Sequence, residues 1–261
     1  MTRLSTATAH RPERIALLLT LALAAFTTSQ ARAVETPPYG DISTLKVARP
    51  GDKVDAPSTT PPAGAVVLFD GSNLDQWEGA DGKTPARWKL VDGRAMQVAG
   101  GGIKTKRAFD GHFKLHVEFR VPYMPDAQGQ ARGNSGVYLQ GRYEVQVLDS
   151  YGLDSKDNDC GGIYEVAKPR VNACKAPTVW QSYDIDFRAP VVRDGAKVTP
   201  ATISVVQNGV VIHENVAIPV DNTRAGLGGS PSKAGPIMLQ DHGNPVQFRN
   251  IWLVPLDGSS G

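Results

Sequence analysis

The sequence predicts an all-β protein, a two-sheet jelly-roll sandwich. Three observations lead there: short segments alternate apolar and polar residues, Gly- and Pro-rich turns separate them, and no stretch carries a long amphipathic helical period. The 261 residues include 27 Gly and 19 Pro, with 41% hydrophobic and 21% charged residues. That balance excludes a disordered acidic chain, and glycine without a three-residue period excludes a collagen-like one. Two cysteines are too few for a disulfide-framework miniprotein or a four-thiolate zinc site. No short-period repeat argues for a propeller.

The chain opens with Arg3, Arg11 and Arg14, an apolar run over residues 15–26, and Ala31-Arg32-Ala33. A basic start, a short apolar stretch and small residues at the exit form a secretory signal peptide over 1–33. The run is too short to span a bilayer comfortably. The mature chain is expected to begin near Val34, in a periplasmic or secreted location, with no membrane span left after cleavage. Residues 1–33 carry a net charge of +3, and subtracting it from the chain's +2 leaves −1. The basic pI therefore gives no argument for a nucleic-acid partner. In an oxidising compartment Cys160 and Cys174 are expected to pair, which would contribute about 3 kcal/mol by loop closure.

Residues 34–62 hold Pro37, Pro38, Pro50, Pro57, Pro61 and Pro62 without a sustained apolar period. They read as a Pro-rich linker or a strap lying on the domain. The ordered domain is expected over 63–257, with a short flexible tail at 258–261. Residues 66–69 form an apolar strand before an Asp70-Gly71 turn. In 114–121, Leu115, Val117, Phe119 and Val121 alternate with Lys114, His116, Glu118 and Arg120, a strand with two unlike faces. Residues 143–148 and 183–188 alternate in the same way. Asn208-Gly209 between apolar runs marks a hairpin, because both residues accept the positive φ of a type I′ turn. Residues 237–242 and 246–254 complete the strands, joined by Gly243-Asn244-Pro245.

The outward faces of these strands are unusual. They collect His116, Glu118, Arg120, Tyr138, Gln140, Glu144, Gln146, Gln240 and His242. On a curved sheet such residues would line a polar floor suited to a sugar, whose hydroxyls need paired donors and acceptors and whose ring faces stack on aromatics. Gly133-Asn134-Ser135-Gly136 allows a tight turn that would hold Asn134 over this floor. Glu144 and Asp149, with Gln146 between them, could supply acid/base groups if a bulge brings Asp149 to the Glu144 face; otherwise Asp149 caps a turn. His242 is a candidate general base. No motif demands a resident cofactor. A divalent cation remains a candidate, with Glu144 and His242 as its ligands.

Leu68-Phe69-Asp70-Gly71 with Leu74 and Trp77 begins a recognisable series. It continues through Gly133-Asn134-Ser135-Gly136-Val137-Tyr138-Leu139, Tyr143-Glu144-Val145-Gln146-Val147-Leu148-Asp149 and Gly161-Gly162-Ile163-Tyr164. It ends with Gly235-Pro236-Ile237-Met238-Leu239-Gln240-Asp241-His242-Gly243 and Val246-Gln247-Phe248-Arg249-Asn250-Ile251. As an ordered set these motifs resemble the 3-keto-disaccharide hydrolase domain family. The resemblance implies a concanavalin A-like lectin/glucanase jelly roll and action on glycosides oxidised at C3. The string Glu144-x-Gln146-x-x-Asp149 is also similar to the Glu-x-Asp-x-x-Glu of laminarinase-type glycosidases. Here the central carboxylate is an amide and the last one is shorter, so a retaining pair about 5 Å apart is not expected.

A C3 ketone makes such a pair unnecessary. It acidifies C2–H, a base removes that proton, the enolate expels the C1 oxygen, and water adds back. The expected site has Glu144 or His242 as base and Asp149 as a further acid/base group. Glu118, Asn134, Tyr138, Gln146, Tyr164 and Gln240 would contact the carbohydrate, and Arg120 or a cation would steady the enolate. A conventional glycosidase and a non-catalytic lectin are the alternatives.

Overall fold

The computed structural model describes Met1 and residues 39–256. The expected signal peptide and tail lie outside the described residues. The strands are β1 (Val66–Phe69), β2 (Trp77–Gly79), β3 (Lys89–Val91), β4 (Ala95–Gln97), β5 (Ile103–Phe109), β6 (His112–Arg120), β7 (Ser135–Leu139) and β8 (Tyr143–Val147). They continue with β9 (Gln181–Arg188), β10 (Val191–Arg193), β11 (Ala196–Thr199), β12 (Ala201–Gln207), β13 (Val210–Ile218), β14 (Gly235–Leu239) and β15 (Gln247–Pro255). Only two short 3₁₀ turns accompany them among the described residues, and no helix there is long and apolar enough to cross a membrane.

Two antiparallel sheets make the sandwich that the alternating pattern predicts. The larger has eight strands in the order β13-β12-β9-β6-β15-β4-β3, with β1 also paired to β15. The smaller has five, β2-β5-β14-β7-β8. The hairpin between β12 and β13 has φ of 53° at Asn208 and 81° at Gly209, as a type I′ turn requires. The inward rows meet in one core. Leu115, Val117 and Phe119 of β6 and Tyr183, Ile185 and Phe187 of β9 face Val137, Leu139, Tyr143, Val145 and Val147 of β7 and β8. Tyr143 packs on Phe187 with ring centroids 5.6 Å apart, joining the sheets. This apolar burial is the main stabilising contribution to the fold.

The outward row of β6 is not a solvated face. His116 and Glu118 are buried, because residues 39–62 lie across the larger sheet. Ser58 donates to Glu118 Oε1 at 2.5 Å. Asn250 donates to the same oxygen at 2.7 Å and to Thr59 O at 2.8 Å. A positive φ of 45° at Asn250, beside a register shift between β15 and β6, turns that side chain toward the strap. Arg249 completes the cluster through Glu118 Oε2 at 2.6 Å. Arg120 is consumed by structure as well. Its guanidinium lies 4.8 Å from the Tyr39 ring and 4.7 Å from Trp180, and it donates to Gln247 and Asp92.

The cysteines depart from expectation. Cys160 and Cys174 are free, buried thiols. The two side chains hydrogen-bond each other, the Gln207 amide reaches both sulfurs at 3.4 and 3.6 Å, and Tyr183 Oη sits 3.2 Å from Cys160 Sγ. A shared polar cage therefore accommodates them without a covalent bond.

Burial pushes the Glu118 carboxyl up, but hydrogen bonds from His116, Ser58, Asn250 and Arg249 outweigh it and hold the group at about 2. The stability it contributes is present above pH 4.5 and is lost as pH falls from there through about 2. Glu118→Ala, which strands Arg249, is expected to reduce stability by about 3–5 kcal/mol in urea unfolding.

Candidate active site

The smaller sheet carries the cluster that the larger one lacks. Glu144 and Gln146 point outward from β8, opposite the inward Tyr143, Val145 and Val147. As the edge strand of that sheet, β8 would leave backbone groups unpaired. The loop after it closes the edge: Gln146 N donates to Gly162 O at 2.9 Å, Gly161 N to Gln146 O at 2.9 Å, and Tyr164 N to Glu144 O at 3.2 Å. Only glycine fits at 162, where a Cβ would collide with Asp157 O. Further along the same edge Glu144 N donates to Thr223 Oγ1 at 3.1 Å. Two loops thus bury the outward row of β8.

They enclose a cavity of about 120 Å³. Asn134, Glu144, Gln146, Tyr164, Gln240 and His242 all line it, as do Gln130, Arg224 and Ala225. Six of the residues picked out in the sequence are therefore brought together. Four others are not. Glu118 and Arg120 sit on the far sheet, in the strap network. Tyr138 lies beneath the floor: it is fully buried, receives a hydrogen bond from Gln240 at 3.1 Å, and its hydroxyl lies 3.2 Å from Arg224 O. Asp149 follows β8, whose pairing with β7 has no bulge that would bring it to the Glu144 face. Arg132 pairs with its carboxylate at 3.3 Å, and the carboxylate accepts from Tyr151 N at 3.3 Å. It caps a turn and is a structural residue.

Glu144 is the centre of the arrangement. It leans over Gly136, where a Cβ would collide with Glu144 Oε1 and stand 2.9 Å from the Tyr138 ring. Burial pushes its carboxyl from 4.5 up to about 8; a hydrogen bond from Tyr138 opposes this and the Glu165 charge adds to it. Above the cavity floor, Gln130 organises the amides. Its Oε1 accepts from Asn134 at 3.1 Å and from Gln146 at 2.9 Å, and its Nε2 donates to Asn158 O at 2.8 Å. With Asn134 Nδ2 committed to Gln130, Asn134 Oδ1 is buried without a partner. Such an acceptor costs about 1–3 kcal/mol unless a ligand donor satisfies it.

The strand containing Ile237 ends at Leu239, three residues short of the expected limit. Asp241 is the reason: it accepts from Gly101 N and Gly243 N, both at 2.8 Å, and turns the chain so that His242 reaches the rim. Among the described residues no group of three or more His, Cys, Asp or Glu side chains gathers to hold a metal. Glu144 and His242 are the two such side chains on this cavity. Gln130 and Arg224 escaped the sequence reading, since both lie on loops with no periodic pattern.

A polar cavity on the outer face of a jelly-roll sheet, with one buried carboxyl and unfilled amide capacity, defines a carbohydrate-active class of protein. Comparison with known proteins makes this specific: residues 64–254 match the 3-keto-alpha-glucoside-1,2-lyase-like domain, and the chain belongs to that family. A candidate glycosyl hydrolase from Parabacteroides distasonis ATCC 8503 is 40% identical, with 76% of this chain and 86% of that one covered at a TM-score of 0.67. A second one from the same organism shares the fold at 20% identity, covering 74% and 94% of the two chains, with a TM-score of 0.54. No curated protein matches the chain.

Gly136→Ala is expected to push the Glu144 side chain out of its niche. In a carboxyl-carbon NMR titration the parent midpoint should lie at about 8, and that of the variant should move back toward 4.5.

Proposed function

We propose that this chain is an exported enzyme that cleaves the glycosidic bond of 3-keto-glycosides by ketone-assisted elimination followed by hydration. The single observation that carries the reading is Glu144: one enclosed carboxyl group with its proton affinity raised toward neutrality and, among the described residues that line the cavity, no second carboxylate to serve as its glycosidase partner, Glu165 standing outside the lining and paired to Arg224. One base suffices when a neighbouring ketone activates C2–H. Membership of a family described as 3-keto-alpha-glucoside-1,2-lyase-like supports that substrate class. The basic-apolar-small pattern of residues 1–33 supports export.

In this mechanism the ionised Glu144 carboxylate takes the proton from C2. The C2–H electron pair forms C2=C3, and the carbonyl π pair moves onto the C3 oxygen. The enolate collapses, expelling the C1 oxygen, which takes a proton from His242 at the rim. Water then adds to the unsaturated ketone. Asn134 Oδ1 accepts from a sugar hydroxyl, and Gln240 and Tyr164 contact the ring. Gln146 acts at one remove, because its amide is spent on Gln130, Asn158 and the backbone of Val147.

The test is incubation of the mature protein with a 3-keto-glucoside and its unoxidised parent, read by mass spectrometry with and without chelator. Product from the keto substrate alone is expected. Cleavage of the parent would establish an ordinary glycosidase, and saturable binding without product a lectin. Glu144→Gln should lower kcat by roughly 100-fold or more. Since the base acts when ionised, the rising limb of kcat against pH should have its midpoint at about 8 and should vanish in Glu144→Gln. A parent profile without that rising limb would remove Glu144 from the role of base.

A further inference from the structure

Enolate formation places a negative charge on the C3 oxygen, and an enclosed site needs a fixed or delivered positive charge to meet it. The sequence offered Arg120 for that purpose, but Arg120 is held between Tyr39 and Trp180 on the far sheet. Among the described residues that line the cavity, Arg224 is the one with a permanent positive charge.

Its position is set with care by the backbone. Thr223 accepts from Glu144 N at 3.1 Å and donates to Arg142 O at 2.9 Å, tying the loop to the start of β8. The carbonyl of Arg224 lies 3.2 Å from the Tyr138 hydroxyl beneath the floor. Ala225 follows with a φ of 60°, a left-handed conformation that an alanine adopts only when its surroundings impose it. Gly226 leaves room for Asn222, which a Cβ there would strike. Thr223 therefore places the main chain of Arg224 beside Glu144, while its side chain is exposed to solvent. That side chain is 71% exposed, and among the described residues it pairs with Glu165 at 2.9 Å, itself 48% exposed. A surface pair of this kind contributes little and is readily exchanged. Glu165 follows Tyr164 directly, so the pair stands at the cavity mouth.

We propose that Arg224 is a catalytic residue of the reaction above: its guanidinium leaves Glu165 and hydrogen-bonds the C3 oxygen as that atom becomes an oxyanion. This rests on the ketone-assisted reading of the site. Arg224 forms no covalent bond. The proton goes to Glu144, the C2–H pair becomes C2=C3, and the charge that appears on the C3 oxygen is met by two N–H donors of the guanidinium. The water excluded when a sugar fills the mouth makes that contact stronger than the one it replaces. Glu165 is a resting partner for the guanidinium.

The experiment uses a 3-keto-1,5-anhydro sugar, which has the ketone and C2–H but no glycosidic oxygen at C1, in deuterated water. The parent is expected to wash deuterium into C2. Arg224→Ala should slow that exchange, and kcat for a cleavable 3-keto-glucoside, by roughly 100-fold, with KM and the thermal midpoint little changed. Arg224→Lys should retain part of the rate. Added guanidinium, but not sodium, should restore exchange to Arg224→Ala. Glu165→Ala should keep the parental rate or exceed it. Exchange in Arg224→Ala within about threefold of the parent, or a raised KM with kcat intact, overturns the proposal while leaving the reaction in place. A parent that neither exchanges C2–H nor cleaves the keto substrate overturns the underlying reading and this residue's role with it.

Discussion

The pocket depends on the closure of one free strand edge. β8 ends the smaller sheet, and its backbone groups need partners that no further strand supplies. Gly161, Gly162 and Tyr164 provide them, and in doing so they draw the 161–164 stretch along the edge of β8. That single act of pairing brings Tyr164 to the cavity, excludes water from Glu144, and places Glu165 at the mouth. Had the edge been left open, the same side chains would form an ordinary solvated row, and the carboxyl would titrate like any surface glutamate.

Two buried glutamates show how environment divides roles between identical side chains. Glu118 and Glu144 each occupy an outward position on a sheet, and each is nearly inaccessible. Around Glu118 stand Arg249, His116, Asn250 and Ser58, so its charge is neutralised and spent on holding the strap. Around Glu144 the help is confined to a Tyr138 hydroxyl, with a second carboxylate nearby. The first group remains ionised through most of the pH scale and is chemically inert. The second hovers between its two forms close to neutrality, the condition a proton-transfer group needs.

Much of this was legible in the chain. Period-two alternation located the core strands, and Asn208-Gly209 specified its hairpin. The motif around Asn134, the Glu144–Gln146 pair, Tyr164, Gln240 and His242 converge on one cavity. Alternation, however, reports only whether a side chain points in or out. It does not say which of two sheets it points out from, which is why Glu118 and Arg120 were read into the same floor. Asp149 failed for a local reason: an Arg132 partner and a turn amide claim it. Gln130 and Arg224 come from loops whose approach is fixed by tertiary hydrogen bonds rather than by any repeat in the sequence. The expected Cys160–Cys174 disulfide is absent: both are free, buried thiols beside Gln207 and Tyr183, neighbours that the spacing of the two cysteines does not reveal.

The strap gives the domain two different beginnings. Kinship, as judged by shared sequence, starts at residue 64. Physical integrity starts earlier, because Ser58 and Thr59 complete a charged cluster inside the larger sheet and Tyr39 hydrogen-bonds the carbonyl of Pro245. Pro245 follows Asn244, whose side chain accepts from Asn134 N at 2.8 Å. A segment outside the inherited motif set is thus fastened to the same turn that holds a cavity residue. The unit that descent preserves and the unit that water tolerates are not the same length of chain.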